Sequence, residues 1–102
     1  MANQQQVDLL KQGVATAWNT WREEHPDTPI SLNGVDLSEA NPGELNLAGA
    51  DLSHADLNGA DLTGANLLGA DMRGALLEEA SLEGALITPE QLSQAKVGTD
   101  SL

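Results

Sequence analysis

The sequence predicts an all-β solenoid, a chain winding again and again around a filled apolar axis. Three observations predict it. A five-residue repeat runs through more than half of the 102 residues, clearest as ADLSH ADLNG ADLTG ANLLG ADMRG from Ala50 to Gly74. Pentads in that frame begin at Ile30 and recur every five residues to a partial twelfth at Ala85. A short fixed period marks a repeat architecture. Within each pentad a small and a large apolar residue stand two apart, which is strand spacing, so both share one side. Helical stripes need spacings of three and four and are excluded. Five is odd, so an unbroken strand would throw successive leucines onto opposite faces. The third observation resolves this: Gly fills the last position in seven of eleven complete pentads and permits a bend in each. Such a chain turns a corner every five residues and stacks its turns as parallel strands. Periodicity alone leaves the number of sides open.

Taken in order, the elements before and after the repeat read as lids. Val7, Leu10, Val14, Trp18 and Trp21 form an apolar stripe at helical spacing over residues 4–24. The stripe predicts one amphipathic helix laid over the open start of the solenoid, with a partner-binding helix as the alternative. Pro26 and Pro29 stop it and lead into the repeat. The expected division is residues 1–29 for the N-terminal capping helix and linker, 30–88 for the repeat, and 89–102 for a short C-terminal capping helix and tail. Thr88-Pro89-Glu90-Gln91 is a helix start, with Thr88 as cap, Pro89 in the first turn and Gln91 able to complete a capping box. A helix running to about residue 96 would press Leu92 and Ala95 onto the last turn, and residues 97–102 are expected to fray.

Ala-(Asp/Asn)-Leu-x-x in tandem resembles the pentapeptide repeat family over residues 30–87. The resemblance implies a right-handed, quadrilateral parallel β-helix with twenty residues per coil, hence about three coils. It implies interior ladders Leu32–Leu52–Met72, Leu37–Leu57–Leu77, Pro42–Leu62–Leu82 and Leu47–Leu67–Ile87, with alanines between them. Pro42 lacks a backbone donor and suits the edge coil in which it falls; Leu45 is expected to fill the volume Pro42 leaves. Trp18-x-x-Trp21-Arg22 ahead of the repeat is similar to short cyanobacterial members of the family.

The net charge is −12, and residues 30–87 carry ten acids against one base, Arg73. That balance argues against direct nucleic-acid binding, which needs Lys and Arg against phosphate. Asp and Asn in the second pentad position commonly serve local turn hydrogen bonds. In the implied coil Asp51 lies beside Asp71 and Asp36 beside Asp56, with Arg73 placed to relieve the first pair. No calcium-loop motif accompanies these acids, so no metal is expected. His54, flanked by Gly34 and Gly74, is expected in solvent, and neither it nor His25 belongs to a nucleophile–base constellation. No catalytic residue and no cofactor are expected, and no P-loop lysine follows the glycines. The chain has no Cys, no apolar run of membrane-spanning length and no basic-then-apolar start, so a soluble cytoplasmic protein is expected.

Three large apolar residues break the outward pattern, namely Leu68, Leu76 and Leu86. They are the candidate interaction patch. The function expected is a non-enzymatic structural or protein-interaction module with an unidentified protein partner, as a monomer or weak dimer. The alternative is an acidic mimic of DNA that inhibits a DNA-binding protein such as gyrase, as the family resemblance suggests. Three coils span only roughly 14 Å, about four base pairs, which is short for that role. Ice binding needs outward threonine rows, and only Thr63 is so placed before the final corner.

Overall fold

The computed structural model describes residues 2–12, 15–38 and 43–95. Three helices are present among them: α1 (Gln4–Lys11), α2 (Ala15–Glu24) and α3 (Pro89–Gln94). Between α2 and α3 the chain keeps returning on itself. Parallel bridges join Ser31 to Asp51, Asp36 to Asp56, Asn46 to Asn66, Asp51 to Asp71, Asp56 to Leu76, Asp61 to Ser81 and Asn66 to Leu86. Every bridge spans twenty residues, so four pentads make one return. We call the stacked pentads rows: row 1 holds residues 30–34, 50–54 and 70–74; row 2 holds 35–38, 55–59 and 75–79; row 3 holds 43–44, 60–64 and 80–84; row 4 holds 45–49, 65–69 and 85–88. Contact along each row is one bridge per pentad pair, flanked by bonds such as Leu32 N–H to Asp51 O at 2.9 Å and Asp51 N–H to Ile30 O at 2.9 Å.

Each position of the pentad has a distinct physical task. The large residue's carbonyl accepts from the N–H three residues on, as Leu52 does from Ala55 at 3.1 Å. The residue between them, at the pentad's end, has positive φ, the requirement of a type II turn. Glycine meets this at φ 70–77°, and Glu44, His54 and Glu79 adopt it at 60–63°. The Asp or Asn of the second position fastens the corner. Its Oδ1 accepts the N–H two residues later, at 3.0 Å for Asp51 with Ser53 and 3.1 Å for Asn66 with Leu68. Where Leu76 stands in that position the tie is replaced: Glu78 N–H donates to Asn58 Oδ1 of the preceding return, at 2.7 Å.

The core follows the large and small positions. Leu32, Leu37, Leu47, Leu52, Leu57, Leu62, Leu67, Met72 and Leu77 are buried, with Leu45 and the alanines from Ala50 to Ala75 between them. Leu82 and Ile87 differ from the ladder expectation. Both are only half-buried, packed against the core's margin at the end of the repeat. Pro42 lies outside the described residues.

The N-terminal stripe also differs from expectation, being two helices and not one. α1 ends at Lys11 with Gln12 as its C-cap, and α2 begins at Ala15. Gly13 and Val14, between them in sequence, lie outside the described residues; glycine costs about 1 kcal/mol inside a helix relative to Ala. Val7, Leu10 and Trp18 are buried, whereas Trp21 is half-exposed and stacks between Trp18 at 5.8 Å and His25 at 4.5 Å. At the other end Thr88 and Gln91 form the expected capping box. α3 stops at Gln94, however, and Leu92 and Ala95 are half-buried while Gln91 is buried.

Polar side chains tie both groups of helices to the stacked pentads. Gln6, almost fully buried, donates to Pro29 O at 2.9 Å and accepts from Ser31 N–H at 2.8 Å. Trp18 Nε1 and Arg22 Nη1 both donate to Asn46 O, at 2.8 and 2.9 Å, and Arg22 Nη2 donates to Ala48 O. Asn19 accepts from Asn46 N–H and donates to Glu44 O. Gln91 Nε2 donates to Leu67 O and to Ala70 O, and Gly74 N–H donates to Gln94 O. By the register of the bonds between returns, Ser31 N–H, Asn46 N–H and O, Ala48 O, Ala70 O and Gly74 N–H are groups that a further stacked turn would otherwise pair. Satisfying them is what a helix must do to close an open strand edge.

Candidate interaction face

Stacking at twenty residues sorts the outward residues by row, and the rows differ in charge. Row 1 carries Asp51, Asp71 and Arg73; row 2 carries Asp36, Asp56, Glu78 and Glu79; row 3 carries Glu44, Asp61 and Glu83. Row 4, with the pentads LNLAG, ANLLG and the partial ALIT, carries none. The corner tie does not require this neutrality, since Asp serves it as well as Asn: Asn46 holds Ala48 N–H at 3.2 Å, and Asp56 holds Asn58 N–H at 3.0 Å. Row 4 therefore makes the same turns with uncharged residues in a molecule of net charge −12.

The exposed leucines stand on that row. Leu68 is 45% and Leu86 51% exposed, and they are the large apolar side chains so exposed among the described residues. Leu86 pairs with Asn66 in a parallel bridge, and Leu68 lies two residues beyond Asn66 on the same pentad. Leu76 does not join them. It sits on row 2 beside Asp56 and is half-buried. Arg22 meets the first pentad of this row, at Asn46 O and Ala48 O.

Row 1 holds an ion pair. Arg73 Nε and Nη2 grip both oxygens of Asp71, at 2.9 and 2.6 Å. The guanidinium, with the Arg73 N–H, holds the Asp71 carboxyl down at about 2. Hydrogen bonds from Ser38 and Thr63 likewise lower Asp36 and Asp61, with Lys11 adding to the effect at Asp36. Folded values below the unfolded value near 3.8 mean stability fully present above about pH 4 and lost as pH falls through about 2. Melting temperature is expected to stay level between about pH 7 and 5 and to fall below about pH 4. Asp71→Asn should flatten part of that fall, which scanning calorimetry across pH will show. His54 is exposed, with its ring against Gly74, where an added Cβ would meet the ring Nδ1 at 2.5 Å. No group of three His, Asp or Glu able to hold a metal ion occurs among the described residues, and no helix there is long and apolar enough to cross a membrane.

A family model of pentapeptide repeats matches residues 30–67 and 46–84, with eight copies. The chain is similar to the crystal structure of a pentapeptide repeat protein, Rfr23, from the cyanobacterium Cyanothece 51142, at 31% identity and a TM-score of 0.53. That match covers 72% of this chain and 50% of the other, so the chain spans half the length of that relative. It is also similar to the crystal structure of alr5209, a pentapeptide repeat protein from Nostoc Pcc 7120, at 23% identity and a TM-score of 0.49, covering 69% of this chain and 82% of the other. None of the curated proteins matches.

Proposed function

The chain belongs to the pentapeptide repeat family, a β-helix solenoid family, and on that premise we propose that it is a non-enzymatic docking module whose partner sits on row 4. Proteins of this family fold as right-handed quadrilateral β-helices. In the proposed architecture the four rows are the four sides of about three such coils, with α1 and α2 closing one end and α3 the other. Residues 1–29, 30–88 and 89–102 are then lid, coil and lid. A cytoplasmic setting belongs to the same proposal, in keeping with a chain that has no cysteine to oxidise.

One observation carries the reading: the neutral face is also the face with the exposed leucines. Depletion of charge together with apolar side chains distinguishes the centre of a protein–protein interface from ordinary surface. Acids on the other three rows keep the molecule soluble and supply a charged rim. The rival reading, an acidic mimic of duplex DNA, is favoured less by a stack spanning only roughly 14 Å, about four base pairs.

The test is paired capture from the native host. Wild-type protein and the Leu68→Glu, Leu86→Glu double variant serve as baits, with Glu83→Gln as a surface control on row 3. Wild type and control are expected to retain the same crosslinked partner, and the double variant to lose at least about tenfold of it, the usual scale for burying unpaired charge in an interface. Equal retention by all three removes row 4 as the docking face.

A further inference from the structure

We propose that the cleft between α1 and α2 is a receptor for a single cationic side chain, arginine or lysine, presented by an extended segment of a partner protein. The cleft has a volume of about 270 Å³ and is lined by Gln5, Asp8, Leu9, Gln12 and Trp21. The first four are spaced i, i+3, i+4 and i+7, so they form one continuous face of α1. That face is distinct from the one that buries Gln6, Val7 and Leu10. Trp21 closes the other wall from α2.

Size restricts the occupant. Clefts for drug-sized ligands run from about 300 to 1,000 Å³, so this one suits one long side chain better than a metabolite. Chemistry restricts it further. Leu9 and Trp21 offer apolar walls to a methylene stem, as the long basic side chains require. Gln5 and Gln12 bring amide oxygens that can accept from an N–H. Asp8 supplies the charge, and no cation among the described residues lines the cleft. Asp8 Oδ1 accepts from Gln4 Nε2 at 2.8 Å, while its Oδ2 has no partner among the described residues. The ion pair present among the described residues is that of Arg73 with Asp71, so Asp8 is in no salt bridge there. The indole is held in place by its stacking between Trp18 and His25. A half-buried aromatic group beside an exposed carboxylate is a combination that recognises a guanidinium or ammonium group. The overall charge of −12 draws such a partner in and repels an anionic one.

The cleft lies on different elements from row 4, so the two readings fail separately. The experiment titrates ¹⁵N-labelled protein with the peptide acetyl-Gly-Gly-Arg-Gly-Gly-amide and, in parallel, with its citrulline counterpart, which is neutral and nearly isosteric. The arginine peptide is expected to shift the Trp21 indole N–H and the Asp8 and Gln12 amides saturably, and the citrulline peptide to shift them far less. Asp8→Asn should weaken binding about tenfold by removing a charge-assisted hydrogen bond. Glu83→Gln, the same loss of charge on row 3, should change it less than about twofold. Leu68→Glu should leave the titration unaltered. An unmoved Trp21 indole, equal shifts with both peptides, or equal weakening by Asp8→Asn and Glu83→Gln would each overturn the proposal, the last by reducing the effect to bulk charge.

Discussion

Leu57→Ala is expected to destabilise the protein by about 2–5 kcal/mol, the range for removing a buried leucine whose surroundings cannot collapse. Leu57 is 1% exposed and belongs to the middle pentad of row 2, where the sequence pattern stacks it between Leu37 and Leu77. Its N–H donates to Leu76 O and its carbonyl accepts from Ala60, so the backbone holds the site open when the side chain is cut back. Small domains hold only about 5–15 kcal/mol in total, so this one change should bring the protein near its unfolding threshold. Urea unfolding followed by far-ultraviolet circular dichroism measures it, with Leu68→Ala, at a residue 45% exposed, as the reference expected within about 0.5 kcal/mol of wild type. In a solenoid each turn depends on its neighbours. A lowered m-value alongside the lowered midpoint would show that one end melts separately from the other.

Trp18→Ala is expected to cost about 3–5 kcal/mol, because it empties the largest buried side chain of the chain and detaches α2 from the start of row 4. Trp18→Phe separates the two contributions. It keeps most of the buried ring and removes only the Nε1 hydrogen bond to Asn46 O. That carbonyl still accepts from Arg22, so it is not orphaned. The phenylalanine variant should therefore lose only about 1 kcal/mol beyond the smaller ring, the net worth of one hydrogen bond. The same unfolding curves decide it. Equal losses for Phe and Ala would mean that the indole N–H, and not its burial, attaches the helix.

The parts of this structure that obey a local rule were legible in the sequence. Ala50 to Ala75 and Leu32 to Leu77 occupy the interior because two-apart spacing and a bend every five residues leave them no other side. Thr88 and Gln91 announced their capping box by type and spacing alone. Other features depend on which pentads become neighbours, and a period of five does not display them. The neutrality of row 4 emerges only when residues 45–49, 65–69 and 85–88 are placed together. Leu76 reads as an outward leucine like Leu86, yet its row and burial set it apart. The burial of Gln6, and the reach of Gln91 beyond its capping box to Leu67 O and Ala70 O, escaped notice because polar residues beside an apolar stripe look solvent-facing and backbone partners leave no sequence signal. Gly13 was the available sign that the first helix divides, and the regular stripe from Val7 to Trp21 outweighed it.

The twenty-residue return is the claim on which the core, the rows and the docking face all rest, and a chain without cysteine allows a direct test by crosslinking. Asp56 and Leu76 pair in a parallel bridge, where adjacent strands run about 4.8 Å apart, within the Cα span of a disulfide. Under mild oxidation, the Asp56→Cys, Leu76→Cys variant is predicted to form an intramolecular disulfide rapidly and without loss of stability. The Asp51→Cys, Leu76→Cys variant, twenty-five residues apart and on different rows, is predicted to stay reduced. Oxidation of the second pair in preference to the first, or of both at the same rate, would contradict the stacking of pentads by fours.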